Sequence, residues 1–161
     1  MRRLFLLTAL MSAPLPGLAQ GLVTERSVGV GLAAEAVAAA VEACAARGHR
    51  VTAAVVDRAG VLKALLRSDG AGPHSVASAR AKAYTAATMR ANTSQLLEGV
   101  RTNPGASRLM DIDGLLIIGG GMPIRIGDEV VGAIGVDGSP GGNLDDQCAE
   151  AGIARIRDRL N

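Results

Sequence analysis

Small apolar residues recur every three or four positions in several parts of the chain, a spacing typical of amphipathic helices. The range 28–47 has this pattern and is followed by Gly48, which predicts a first helix that ends there. A second helix is predicted to begin near Ser75, with a short helical piece over 94–100. Asn143 can cap a last helix, which carries an apolar stripe to the end of the chain.

Five other stretches are rich in β-branched and aliphatic residues and are bounded by turn residues, which predicts strands. The first two are separated by a short turn and indicate an antiparallel hairpin. The other three form a glycine-punctuated run, so the prediction is an α+β domain with one antiparallel sheet of about five strands flanked by helices. The predicted strands cover residues 51–57, 61–67, 114–118, 122–126 and 129–136.

Residues 1–19 have the three parts of a signal peptide. Two arginines precede an apolar stretch, and small residues follow at a suitable cleavage position. The apolar stretch is too short to span a bilayer, and no later segment is predicted to be a membrane span. We therefore expect export to the periplasm or the outside of the cell, with residues 20–161 forming a single domain.

Charge and composition narrow the classes of function. The formal net charge is +2, and removal of Arg2 and Arg3 with the signal peptide brings the chain close to neutral. Tyr84 is then the one remaining aromatic residue. A nucleic-acid-binding surface is not expected, because it would need a basic stripe and stacking aromatics.

Cys44 and Cys148 both fall on predicted helices, and the sequence leaves open whether they form a disulfide or remain buried thiols.

The range Asp69–Thr88 concentrates the candidate chemistry. His74 is predicted to lie at the start of the second helix, where the helix dipole favours a neutral imidazole that can bind a metal or haem iron. Arg80 and Tyr84 are four residues apart, on one helical row that could hold a flat anionic ligand. The alternative is that His74 is a solvated residue at a helix start and that the neighbouring alanines only pack on the sheet.

Two motifs in the sequence are those of a known family. KAYTA begins at Lys82, and GGMPI followed by VGAIGVDG covers most of the range 120–138. With the segments around them, 53–88 and 114–152, these motifs resemble the GlcG/HbpS-type haem-binding family, whose domain also forms the C-terminal part of PduO proteins. The resemblance implies a profilin-like domain that assembles into homo-oligomers, and its exported members are associated with haem binding and sometimes with haem degradation.

Carried onto this sequence, the resemblance suggests haem as the cofactor and His74 as its axial metal ligand. Arg80, Lys82 and Tyr84 are the candidates for contacts with the propionates or the ring face. Met89, Met110 or Met122 could supply a second ligand, although each is a common core residue. The alternative is a small-molecule-binding or accessory subunit of an exported dehydrogenase or sensor system, without haem. Asp57, Asp69 and Asp137 follow strands and are interpreted as turn residues.

Overall fold

The computed structural model describes residues 21–160, so the predicted signal peptide lies outside the described residues. The first helix, the first hairpin and the helices predicted to start near Ser75 and Asn143 are all present. None of the described helices is both long and apolar enough to cross a membrane. In chain order the elements are α1 (Val30–Ala45), β1 (Thr52–Asp57), β2 (Leu62–Arg67), α2 (Ser75–Met89), α3 (Thr93–Thr102), a 3-10 segment (Pro104–Asp111), β3 (Gly121–Ile126), β4 (Glu129–Asp137), α4 (Gly142–Ile156) and a final 3-10 turn (Arg157–Arg159).

The sheet is antiparallel with the strand order β2-β1-β4-β3, which confirms an α+β fold. It has four strands among the described residues, so the prediction of about five is corrected. The range 114–118 was predicted to be a strand but does not join the sheet. The backbone N–H of Leu116 instead donates a hydrogen bond to the Thr85 hydroxyl on α2, at 2.8 Å. The segment is therefore bonded to a helix, and its apolar run did not distinguish this packing from strand pairing.

Helices cover both faces of the sheet. Val55 and Ile134, which pair across β1 and β4, belong to a core formed with α1 and α4. Val56 and Ala133, the next pair, belong to a smaller cluster formed with α2. Successive strand residues point to opposite faces, so β1, which is buried over residues 52–56, packs against helices on both faces of the sheet.

Gly135 explains how closely α2 lies on the sheet. A Cβ atom at this position would overlap the carbonyl oxygen of Ala79 and would lie 2.5 Å from the backbone nitrogen of Ala83. Only the absence of a side chain on β4 allows the helix backbone to approach to this distance. The glycine in β4 thus sets the distance between the sheet and α2.

A disulfide joins α1 to α4. Cys44 and Cys148 are fully buried, their Cα atoms are 5.6 Å apart, and they are 104 residues apart in the sequence. Of the two states that the sequence left open, the structure therefore has the bonded one. The bond fixes the helix pair on the face of the sheet opposite α2.

Candidate functional site

His74 immediately precedes α2, as predicted, and has a helical backbone conformation. Its side chain makes no capping hydrogen bond and is 72% exposed. Ser75, near which the helix was predicted to begin, is the first helical residue. Its buried hydroxyl lies 2.7 Å from that of Thr52 and donates to the carbonyl of Gly72, because the serine faces the sheet. These contacts of Ser75 thus hold the start of α2 against the sheet, and the imidazole of His74 remains accessible to solvent.

A cleft of about 310 Å³ lies on the outward face of α2. Steps of three, four and three residues separate His74, Ala77, Ala81 and Tyr84, and this spacing places them on one side of a helix. His74 therefore continues the same face toward the helix start, although it does not line the cleft itself. The cleft is lined by Ala77, Arg80, Ala81, Tyr84, Asp113 and Gly114.

Arg80 and Tyr84 are the charged and aromatic residues of α2 that line this cleft. Arg80 is exposed and makes no ion pair or side-chain hydrogen bond with any described residue. Tyr84 is 38% exposed, and its ring lies between Gly60 and Gly114. Gly60 has a φ of +80°, and a Cβ there would lie 2.7 Å from the ring, so glycine is needed at the hairpin turn beside the tyrosine.

Lys82 does not join this group, although the resemblance suggested it as a ligand contact. Its side chain is 1% exposed and points between α2 and the end of β4. Its Nζ lies 2.7 Å from Asp137 Oδ1 and 2.9 Å from Asp145 Oδ2, and it also donates to the carbonyl of Val136. Three oxygen atoms of the protein therefore surround the ammonium group, which carries three donors.

Asp145 is the deeper of the two carboxylates. Burial raises the pKa of the Asp145 carboxyl, while hydrogen bonds from Lys82 and Ser139 act in the opposite direction. The Ser139 backbone N–H donates to its second oxygen at 3.1 Å. A second cleft, of about 380 Å³, opens beside this ion cluster between α2, α4 and the loop before α4. The cluster thus connects α2, β4 and α4 at one end of the sheet.

Asp137 connects this buried cluster to the exposed histidine. Its Oδ2 atom is 3.7 Å from His74 Nε2, while Oδ1 is paired with Lys82. The sequence interpretation of Asp137 as a turn residue was wrong, because its carboxylate is buried in an ion cluster rather than bonded within a turn. Asp137 and Asp145 follow Lys82 by 55 and 63 positions in the sequence, so no local pattern predicted that they contact its ammonium group.

The other candidates lie elsewhere. His49, the other histidine of the chain, is half-buried in the turn after α1. Met122 packs against the core on the α1 and α4 face, which separates it from the α2 cleft, whereas Met110 is 56% exposed. Within residues 21–160, no cluster of three or more histidine, cysteine or acidic side chains is arranged to hold a metal ion. A metal-containing ligand would therefore meet isolated donors such as His74.

The chain is similar to a known protein family and to solved structures. A family model described as haem degrading protein HbpS-like matches residues 30–154. The crystal structure of an HbpS double mutant from Streptomyces reticuli has a TM-score of 0.80 and 41% sequence identity, and the match covers 89% of this chain and 97% of that one.

Two further proteins are similar. The crystal structure of a PduOC–haem complex has a TM-score of 0.72 at 25% identity, with 81% of this chain and 95% of that chain covered. An uncharacterized 15.0 kDa protein encoded in the dhaT-dhaS intergenic region of Citrobacter freundii is 37% identical over 111 residues, which cover 66% of this chain and 77% of that protein.

Proposed function

We propose that this chain, which belongs to the haem degrading HbpS-like family, binds haem on the outward face of α2. The observation that carries the proposal is the accessible imidazole of His74 on the same helix face as the cleft formed by Arg80 and Tyr84. An unpaired arginine and a half-exposed aromatic ring beside an imidazole form a donor set suited to a flat ligand with carboxylate groups.

The residues present fit haem chemically. Bound haem would supply an iron centre, and a neutral imidazole such as that of His74 is a common protein ligand for it. The guanidinium of Arg80 has no partner within the described chain and is suited to pair with a carboxylate in a bidentate manner. The Tyr84 ring and the alanines of α2 offer an apolar surface for the macrocycle.

The α2 cleft is open to solvent, and its volume limits how much of a ligand one copy of the chain can cover. Sites for drug-sized ligands have volumes of roughly 300–1,000 Å³, and the α2 cleft, at about 310 Å³, lies at the lower end. One copy of the chain therefore covers only part of a porphyrin. We extend the proposal to a homo-oligomer, in which a second copy would cover the remaining surface.

Lys82 has a different role in this proposal from the one that the resemblance suggested. Because its ammonium group is buried and paired with Asp137 and Asp145, it does not meet the ligand. It holds α2 in place against α4 and the end of β4. Arg80 is then the basic residue of α2 that is available for a propionate.

Hemin titration of the purified protein tests the proposal. We expect a saturable Soret band, which His74→Ala shifts and weakens by about 10-fold or more in affinity, in line with the loss of a metal ligand. His49→Ala is the matched control, because it removes the other histidine of the chain. Arg80→Ala should weaken binding without moving the band. No saturable change, or equal effects of the two histidine variants, would refute the proposal.

We further propose that the protein is exported and that it degrades haem. The signal-peptide pattern of residues 1–19 supports a periplasmic or secreted protein, and N-terminal sequencing of protein from the natural host tests it. Degradation is supported by the family description. It predicts loss of the Soret band together with stoichiometric iron release under reductant or peroxide, and this loss should be blocked by His74→Ala. Free hemin under the same conditions is the necessary control.

A second candidate is a small-molecule binder or an accessory subunit of a sensor or dehydrogenase system, without haem. The observation in its favour is the 380 Å³ cleft beside Asp145, which has polar side chains such as those of Ser94 and Asp146 in its lining and shares no lining residue with the cleft on the outward face of α2. Native mass spectrometry of protein from the natural host distinguishes the two candidates, since a bound mass other than that of haem would support the second.

A further inference from the structure

We propose that Asp137 is a positioning residue for His74, which makes the buried ion cluster part of the haem site. This inference rests on the proposed function, because it assigns a role to a residue beneath the proposed ligand. Asp137 is the last residue of β4 and is 8% exposed. Its two carboxylate oxygens face different partners, Lys82 on one side and His74 on the other.

The carboxylate is held firmly on one side. Oδ1 lies 2.7 Å from the Lys82 ammonium, and Asp137 pairs with Thr52 in the sheet, so its backbone is fixed too. Oδ2 receives no hydrogen bond from any described group and faces His74 Nε2 at 3.7 Å. The carboxylate therefore has one oxygen that orients it and one oxygen free to accept a hydrogen bond from the imidazole.

His74 is the movable partner. Its ring lies over Gly72, where an added Cβ would be 2.8 Å from Nδ1, and most of its side chain is in solvent. Hydrogen bonds between nitrogen and oxygen span about 2.7–3.2 Å, so an approach of about 0.5–1 Å converts the present ion-pair distance into a bond. A rotation of an exposed side chain supplies a displacement of this size.

The chemical consequence follows from how histidine binds metals. An imidazole that binds a metal with one ring nitrogen commonly donates the N–H of the other to a carboxylate, which fixes the ring and makes it a stronger donor. Here the nitrogen that faces the carboxylate is Nε2. In the proposed complex Asp137 would hold Nε2 of His74, and rotation of the ring away from Gly72 would free Nδ1 to bind the ligand.

The simpler interpretation is that Asp137 only neutralises Lys82. Asp145 provides a matched comparison, because it pairs with the same ammonium at 2.9 Å but makes no contact with His74. If Asp137 acts only through Lys82, then Asp137→Asn and Asp145→Asn should have similar effects on hemin binding. A positioning role predicts an effect of Asp137→Asn that depends on the presence of His74.

A double-mutant cycle on hemin affinity tests this difference. Asp137→Asn should weaken binding by about 10-fold or more when His74 is present, and should have no further effect in the His74→Ala background. Asp145→Asn should give the same change in both backgrounds. The reduction potential of the hemin complex should become more positive in Asp137→Asn, because loss of the carboxylate makes the imidazole a weaker donor.

Each outcome has a clear meaning. Unchanged affinity and potential in folded Asp137→Asn, or an equal loss in both backgrounds, would overturn the positioning role while leaving haem binding intact. Failure of the unmodified protein to bind hemin, or insensitivity to His74→Ala, would instead remove the proposed function and this inference with it. If Asp137→Asn does not fold, Asp137→Ser gives the same readouts with a smaller side chain that can still accept a hydrogen bond from Lys82.

Discussion

Replacement of Lys82 by methionine should destabilise the protein more than any other single loss of charge in the described chain. Methionine preserves much of the volume of the side chain but removes the ammonium group from between Asp137 and Asp145. Both carboxylates remain buried, and neither contacts a lysine or arginine other than Lys82 among the described residues; the exposed imidazole of His74 lies 3.7 Å from Asp137. The substitution therefore leaves buried negative charge uncompensated.

The size of the effect follows from this burial. Removal of one partner from a buried ion pair costs about 3–5 kcal/mol, because the remaining charge stays desolvated. Small domains have free energies of unfolding of about 5–15 kcal/mol, so this loss is a large part of the total. Lys63→Met is the matched control, since Lys63 is the other lysine of the chain and its half-exposed Nζ lies 3.8 Å from Asp57. An exposed pair of that kind contributes about 0–1 kcal/mol.

The pH dependence separates loss of charge compensation from loss of packing. Burial already raises the pKa of the Asp145 carboxyl above its ordinary value, and removal of Lys82 takes away an interaction that lowers it. A carboxyl with a raised pKa in the folded state binds its proton more tightly than the unfolded chain does. The folded state therefore loses stability as the pH rises from about the unfolded pKa through the folded pKa.

Urea unfolding of the Lys82→Met variant between pH 3.5 and 8, a range from roughly half a unit below to several units above the ordinary pKa of an aspartate, measures this effect. We expect the deficit relative to the unmodified protein to be largest near neutral pH and to shrink as the pH falls. A deficit that does not vary with pH would show that packing dominates. A deficit no larger than that of Lys63→Met would refute the compensation argument.

Two further predictions concern the framework around the site. Reduction of the Cys44–Cys148 disulfide should lower the free energy of unfolding by up to about 4–5 kcal/mol, the chain-entropy value for a loop of roughly 100 residues, and the paired serine variant should be insensitive to reductant. Gly135→Ala should cost about 3 kcal/mol or more in urea unfolding, because its Cβ would overlap the backbone of α2. Gly31→Ala, which meets nothing within 4 Å on α1, should be neutral or stabilising, and a similar loss there would contradict the argument.

Local patterns were enough to predict much of the fold. The helical spacing over 28–47, the short turn between the first two strands and the start of the helix after Pro73 all depend on neighbouring residues, and the structure has each of them. The range 114–118 shows the limit of this reasoning. Its apolar run suits a strand as well as a covering segment, and a hydrogen bond to Thr85, some thirty residues away, decides between them.

The site was predictable only in part, for a similar reason. The position of His74 before a helix follows from the glycines and proline that precede it, and the helical spacing placed Arg80 and Tyr84 on one row. Nothing local to Lys82 indicates that it is buried. Its environment depends on Asp137 and Asp145, which reach it only after the sheet has formed and α4 has packed beside it.

The end of β4 links the packing of the fold to the chemistry of the site. Gly135 and Asp137 are two residues apart and so point to the same face of the sheet, the face covered by α2. The glycine sets how closely the helix approaches, and the aspartate contacts Lys82 and His74 once it is there. A shift of α2 away from Gly135 would therefore lengthen both contacts of Asp137. For this reason Gly135→Ala, which neither adds nor removes a polar group, should weaken hemin binding as well as lower the free energy of unfolding.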